Sequence, residues 1–393
     1  MSRTPGSLSI LTVAPTLPWH VRGGMEEVTW QTATALHERG HEVTILTTAM
    51  DHEAEVYTRE GVEVREMAYV PWWARGLPAY HWWRFFDTAA HEHAREHGLD
   101  ADVVHVQSFY AAGFLADPEA PPVAATVHGT AYHHDYMGGS REKLIEEKGR
   151  YHPRRLLQWL DIQRRTRKEN RQLAELDAIL PVSDTVVSML ASVPDDDPRL
   201  RIVPNGVDPE EFPPVEQAQA RERLGIGAEE RVVLYLGRMD RSKRIGSLLD
   251  VAEQVDCQVH VAGQGPDLDR FRALVDERSL GEGVTVHGWV SDRKRNQLYA
   301  AADLFCLPSL AEAFGMVLLE AMLEGTPAAI RRPWLPEELL GFTVVDDDIV
   351  EAVREGLELD PDRKRLRETV ESGYTWDTSA ERYEDVFLDL VEE

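Results

Sequence analysis

Short apolar runs alternate with amphipathic stretches along most of this chain. Residues 8–14 form an apolar run that Pro15 ends, and a helical pattern over 25–39 follows a loop carrying Gly23 and Gly24. Gly40 closes that helix, and 41–47 reads as the next strand. Further strands are predicted at 62–69, 102–107, 123–128 and 178–183, with Ser183 placed to cap the helix after the last of them. The pattern restarts at 231–237 and continues with strands at 258–263, 284–288, 304–307 and 328–330. Helices are expected at 150–171, 292–301, 316–324, 349–359 and 379–392. Continuous apolar strands separated by helices predict α/β architecture with parallel sheets buried on both faces. Pro209, Pro213, Pro214 and the charged run to 223 read as a linker between two halves. The expected domains are therefore 1–205 and 206–375, with 376–393 as a terminal helix.

Composition sharpens this only in places. At 393 residues the chain exceeds one ordinary core, and its 43% hydrophobic share suits two large ones. Net charge is -27, and only six of the 42 basic residues are lysine. That acidic, lysine-poor surface fits a halophilic protein kept soluble where salt screens repulsion, against the plainer reading of an acidic mesophilic protein from a GC-rich genome in which Arg replaces Lys. It also argues against nucleic acid as a partner, because phosphate contacts need basic faces. Cys257 and Cys306 lie in apolar surroundings and read as buried free thiols of a reducing compartment. The first residues lack the apolar core of a signal peptide, and no apolar run is long enough to span a bilayer. A cytoplasmic protein is expected.

Candidate chemistry gathers at strand ends. Glu312 lies in the loop after 304–307, and Glu320 sits among Val317, Leu318, Leu319, Ala321 and Met322. A carboxylate in so apolar a helix needs a partner, which a polar ligand would supply. Gly23-Gly24 before a helix allows close backbone approach to a phosphate or sugar, or forms a plain turn. His128 ends the strand at 123–128 and points to the edge where ligands bind in such sheets. Arg238 and Lys243 follow the strand at 231–237, and two cations there can hold a diphosphate. Gly263-Gln264-Gly265 makes a sharp turn fit to support a nucleobase pocket.

Residues 70–86 hold four of the ten tryptophans, and 150–171 is a basic helix in an acidic chain. Together they suggest contact with an anionic membrane or a greasy acceptor, against the plainer reading of surface packing. His91, His93 and His97 read as surface residues. His133 and His134 lack the spacing of a metal site, so no metal is expected.

The segment Pro308, Ser309, Glu312, Phe314, Gly315, Leu319, Glu320, Ala321, Met322, Gly325 and Pro327 resembles the E-x7-E element of retaining GT-B glycosyltransferases of family 4. GG-x-E at 23–26, RGHEVTILT at 39–47, PNGVD at 204–208 and GR-x-x-x-x-K at 237–243 resemble the same family. The resemblance implies two facing Rossmann-like domains with a cleft, and sugar transfer from a nucleotide-diphosphate donor without a required metal. It implies that His128 contacts the donor sugar, Arg238 and Lys243 the diphosphate, Glu312 the sugar hydroxyls and Glu320 the ribose. Gly23 and Gly24 would approach the phosphates and the acceptor; Gly265, Val290, Phe314 and Gly315 complete the substrate-binding set. The acceptor would be a glycan or lipid-linked envelope precursor. Ala313 stands where the family usually has Gly, and Arg331 to Glu338 replaces its Gly-rich loop. Those departures leave open an epimerase or phosphorylase on the same fold, or a non-catalytic sugar-nucleotide binder.

Overall fold

The structure, a computed structural model, describes residues 6–21, 23–50, 53–68, 83–131, 154–310, 312–332 and 336–392. The chain divides into two compact units. The first takes Met1–Ala131, Asp161–Gly206 and Trp376–Glu393; the second takes Val207–Thr375 with the helical stretch at 154–160.

In the first unit, seven strands make one sheet. They are β1 (Ser9–Val13), β2 (Glu42–Thr48), β3 (Val56–Arg59), β4 (Val62–Met67), β5 (Val103–Gln107), β6 (Val123–Val127) and β7 (Ala178–Pro181). Their order is β3-β4-β2-β1-β5-β6-β7, and every pairing is parallel except β3 with β4. Among the described residues its helices are α1 (Gly24–Glu38), α2 (Trp83–Glu96), α3 (Ala112–Leu115), α4 (Arg154–Glu175, in this unit from Asp161 onward) and α5 (Asp184–Met189). Ser183 caps α5 by accepting from the Val186 amide, as the sequence suggests. The C-terminal helix, Trp376–Glu392, buries Ala380, Tyr383 and Phe387 in the same core as Ile10, Leu36, Ile45 and Val64. Arg39 on the turn after α1 bonds Glu384 at 2.7 Å and Asp377 at 2.9 Å on that helix.

The hairpin of β3 and β4 departs from the predicted pattern, which places one strand at 62–69. Its two-residue turn is Glu60-Gly61, with φ of 50° and 84°. Two successive positive φ values make the turn type that matches strand twist, but Glu at its first position gives little sequence signal.

The second unit holds an all-parallel sheet in the order β10-β9-β8-β11-β12-β13. Its elements in sequence are α6 (Gln217–Leu224), β8 (Val232–Leu236), α7 (Ser247–Gln254), β9 (Gln258–Ala262), α8 (Leu268–Glu277), β10 (Val284–Gly288) and α9 (Asp292–Ala301). There follow β11 (Leu304–Leu307), α10 (Met316–Leu323), β12 (Ala328–Ile330), α11 (Glu337–Leu340), β13 (Thr343–Val345), α12 (Ile349–Gly356) and α13 (Arg363–Gly373). The expected linker run is thus partly helix. Arg221 on α6 is buried, donating to the Ala301 carbonyl at 3.1 Å and the Asp303 carboxylate at 2.7 Å, so this charged stretch packs rather than hangs free. Gly325 takes the left-handed φ of 75° expected just after α10. Cys306 is buried in β11, whereas Cys257 is only half-buried, just before β9.

With the β3 edge set aside, both sheets have one order: third strand, second, first, fourth, fifth, sixth. This is the doubly wound Rossmann arrangement, in which the direction of winding reverses between the first and fourth strands. Ligands bind at the carboxyl ends of the strands flanking that reversal. In the first unit those are β1 and β5; in the second they are β8 and β11.

Candidate active site

At the carboxyl edge of the second sheet, the loop after β8 carries Arg238 and Lys243 and the loop after β11 carries Glu312. The Lys243 ammonium donates to Glu312 Oε1 at 2.6 Å, with both side chains largely shielded from solvent. Arg238 stays 71% exposed while its Nε lies 3.0 Å from Asp240. Asp240 also caps the short 3-10 turn Arg241–Lys243 by accepting from the Ser242 amide. Under this loop the buried Tyr235 hydroxyl donates to the Arg238 carbonyl at 2.7 Å, fixing the turn. Burial, aided by the nearby Glu312 and Asp240 charges, holds the Tyr235 phenol well above its usual pKa. Two cations braced by carboxylates, one of them open to solvent, suit an anionic ligand of two phosphates.

Backbone bonds tie the neighbouring loops together. Gly237 donates to Ala262, Met239 to Gln264, Gly263 to Gly288, and Asp267 back to Met239. A Cβ on Gly263 would lie 1.8 Å from the Gly237 carbonyl oxygen, and one on Gly265 would lie 2.2 Å from that of Met239. Both glycines are therefore demanded by the close passage of two backbones, a reason the sequence pattern alone does not give. Val290 is half-buried beside Trp289, which is 60% exposed.

Gly315 precedes α10 with φ of 76°, and the Phe314 ring is buried. Glu320 corrects one expectation. Its carboxylate does not depend on a ligand for a partner, because the buried Tyr299 hydroxyl donates to Oε2 at 2.8 Å. Burial first, then the Glu320 charge, raises the Tyr299 pKa well above normal. Tyr299 carries no motif, and only its place in a helix facing α10 marks it.

In the first unit, Gly23 is the N-cap of α1 and Gly24 its first residue. The Thr16 hydroxyl donates to buried Glu26 at 2.8 Å across this loop. A Cβ on Gly23 would meet the Glu26 carboxylate at 2.2 Å. At the end of β5, Ser108 holds a left-handed φ of 58°, and its hydroxyl reaches the Met25 sulfur at 3.8 Å. Strain of this kind in a non-glycine residue persists only where the surroundings enforce it.

His128 follows β6 directly and shares a 2.8 Å hydrogen bond, Nε2 to Oε1, with fully buried Gln107 at the end of β5. The following turn is held by Glu169 of α4, which accepts from the Ala131 amide at 3.1 Å. Burial lifts the Glu169 pKa, and the Ala131 bond only partly offsets it. Deeper in, His105 bonds Thr126 at 2.7 Å and Thr126 bonds Tyr383 at 2.9 Å. Burial pushes the His105 pKa down to about 3, so this histidine is neutral.

The remaining candidates scatter. His91 bonds Asp117 at 2.9 Å, and His93 stacks on His97 with centroids 4.0 Å apart. His133 and His134 lie outside the described residues, as does the aromatic window except Phe86, which is buried, and the backbone from Trp83. On α4, Lys168 is drawn to buried Asp87 at 2.6 Å, while Trp159 and Leu160 are exposed by 47% and 48%. Among the described residues, no group of three or more His, Cys, Asp or Glu is placed to hold a metal. Among them, too, no helix is long and apolar enough to cross a membrane.

Comparison with known proteins follows the same division. Residues 216–372 match the family "Glycosyl transferases group 1", and residues 22–211 match "Glycosyltransferase Family 4". The chain is 30% identical over 327 residues to a D-inositol 3-phosphate glycosyltransferase of Mycobacteroides abscessus, spanning 78% of this chain and 68% of that one. Among solved structures it resembles sucrose-phosphate synthase from Thermosynechococcus elongatus, with TM-score 0.75, 21% identity and coverage of 98% and 99%. It also resembles Anabaena HepE in complex with UDP and glucose, with TM-score 0.65, 17% identity and coverage of 96% and 98%.

Proposed function

The chain belongs to the group 1, family 4 glycosyltransferases and has their GT-B fold; from that premise we propose that it moves a hexosyl group from a nucleoside-diphosphate sugar to a phosphate-bearing acceptor, with retention at the anomeric carbon. The observation that carries this reading is Lys243 held on Glu312 at 2.6 Å where the second sheet reverses its winding. Lys243 keeps further N–H donors for a phosphate, and Arg238 adds a guanidinium fork beside it.

In the proposed reaction, the bond between the anomeric carbon and the diphosphate oxygen breaks. Arg238 and Lys243 stabilise the negative charge that develops on the leaving diphosphate, which is electrostatic catalysis needing no metal. The acceptor hydroxyl bonds to the same face of the sugar and passes its proton to the departing phosphate oxygen. Glu312 and His128 orient the donor sugar, Glu320 binds the ribose, and Gly23 and Gly24 offer backbone to phosphate and acceptor. Gly265, Val290, Phe314 and Gly315 shape the donor pocket.

The relatives' name supports a polyol phosphate as acceptor, and a lipid-linked glycan precursor has the same anionic chemistry. Exposed Trp159 and Leu160 beside the arginines of α4 support contact with an anionic membrane surface, which would favour the lipid-linked form. The test is incubation with a panel of nucleotide-sugars, with inositol phosphate or with lipid extract, and with and without a chelator. Donor consumption with a glycosylated product whose anomeric configuration matches the donor is expected, undiminished by the chelator. Donor loss without any such product would sink the transfer reading.

A further inference from the structure

The loop between β1 and α1 ends in Gly23 and Gly24, yet little of its own sequence explains why it holds one shape. Beside the Thr16–Glu26 bond and the Thr48 hydroxyl, which donates to the Pro15 carbonyl at 2.9 Å, it is anchored from the β3–β4 hairpin. The His20 ring, its side chain 4% exposed, accepts from the Leu17 amide through Nδ1 at 3.2 Å. Neutral His20 therefore carries its proton on Nε2, which lies 3.4 Å from Glu66 Oε1 on β4. The Tyr57 hydroxyl of β3 donates to the same oxygen at 3.3 Å. Glu66 is buried, and burial with its charge nearby pushes the Tyr57 pKa up to about 12.

A second set of contacts holds the neighbouring residue. Trp19 packs edge-on against Trp30 of α1 with centroids 5.0 Å apart, and the Arg59 guanidinium of β3 lies 4.5 Å from the Trp19 ring centre. A cation at that distance from an indole face is attracted to it. Two sets of contacts, joined where the Tyr57 ring lies 6.4 Å from that of Trp19, thus reach the loop from the β3–β4 hairpin.

We propose that the β3–β4 hairpin is a positioning clasp for the β1–α1 loop, and that Glu66, Tyr57 and Arg59 govern sugar transfer through it. This rests on the reading of Gly23 and Gly24 as substrate-facing. The hairpin residues are positioning residues: they set where the loop backbone stands when donor and acceptor meet.

The test is amide hydrogen exchange across residues 15–24 in the free protein, with steady-state transfer measured alongside. Glu66→Ala should speed exchange about tenfold, and Arg59→Ala should speed it less. Glu66→Gln keeps an acceptor oxygen for His20 and Tyr57 and should restore most of the protection. Turnover of Glu66→Ala should fall about tenfold, a larger change than in donor KM, since misplacement alone costs rate. Should Glu66→Ala not fold, Arg59→Ala, whose side chain is half exposed, carries the test. Unchanged exchange in the folded variants overturns the clasp. Faster exchange with wild-type turnover overturns its part in the reaction. A wild type that transfers no sugar overturns the functional reading instead, while the exchange experiment still decides the clasp.

Discussion

The two units share one strand order, yet they hold their carboxyl edges by different means. In the second unit, loops that are neighbours in space are stitched by backbone bonds and by glycines that admit close passage, as at Gly237, Gly263 and Gly265. In the first unit, loops are held by side chains from far along the chain: Glu66 on His20, Gln107 on His128, Glu169 on Ala131. A backbone constraint can be met by very few residue types, so it leaves a fixed motif. A side-chain anchor can be met in many ways, so it does not. The second unit should accordingly be brittle to substitution at glycine and at its charges, and the first more forgiving.

The largest expected effect falls on the charges of the second unit. Lys243→Ala removes the shielded cation and should lower kcat by about a hundredfold to a thousandfold, as loss of one preorganised electrostatic donor does elsewhere. Glu312 then lacks its partner, so the unfolding midpoint should be measured together with turnover. A loss under tenfold would contradict the diphosphate role and weaken the contrast with the first unit.

A matched pair of glycine substitutions tests the contrast in stability. Gly263→Ala would push a methyl to 1.8 Å from the Gly237 carbonyl at a φ of 134°, and should cost about 3 kcal/mol or more. Gly129→Ala has a similar φ of 137° but nothing within 4 Å of the added carbon. It should cost only about 1–2 kcal/mol from backbone strain. Denaturant unfolding reads both, and equal losses would mean that backbone crowding does not distinguish the units.

The same difference explains what the sequence made legible. Strand positions and the α10 helix with its glycine stop follow from apolar runs, and Arg238, Lys243 and Glu312 stood out at strand ends and through the family resemblance, but the Lys243–Glu312 ion pair did not show. The hairpin at Val56–Arg59 did not show, because Glu60 replaces the usual turn residue and β3 is an exposed edge with weak patterning. Helix α6 was hidden by its charge, since nothing local reveals that Arg221 folds inward onto Asp303. Tyr299 and Gln107 were missed because each matters only through a residue distant in sequence, 21 positions away in both cases.

pH separates the units in opposite directions. Glu324, just after α10, is buried, and burial raises its pKa from 4.5 to about 7 despite Arg367, Arg295, Arg363 and the Val215 amide. A carboxyl raised on folding stabilises fully below pH 4.5 and loses that contribution as pH climbs through about 7. The loss is at most about 3 kcal/mol, and Glu324→Gln should abolish it. His105 in the first unit has its pKa lowered from 6.5 to about 3, so its contribution is present above 6.5 and lost as pH falls towards 3. Unfolding midpoints at pH 4 and pH 8 check this: Glu324→Gln should gain over wild type at pH 8 and match it at pH 4. A uniform shift at both would remove Glu324 titration from the account.

The smallest effect tests whether Glu320 belongs to the site or to the core. Its bond to Tyr299 is enough to satisfy a half-buried carboxylate, so structure alone would explain its presence. A ribose contact adds a second demand, which binding can isolate. Glu320→Ala should raise donor KM roughly tenfold, the cost of one or two hydrogen bonds to a charged acceptor, with kcat little changed. Tyr299→Phe keeps the carboxylate and removes the core donor, so it should lower stability by about 1 kcal/mol and leave KM within about twofold. If both variants lose stability and neither moves KM, Glu320 is a packing residue. The donor site of the second unit would then rest on its two cations and the Glu312 that holds one of them.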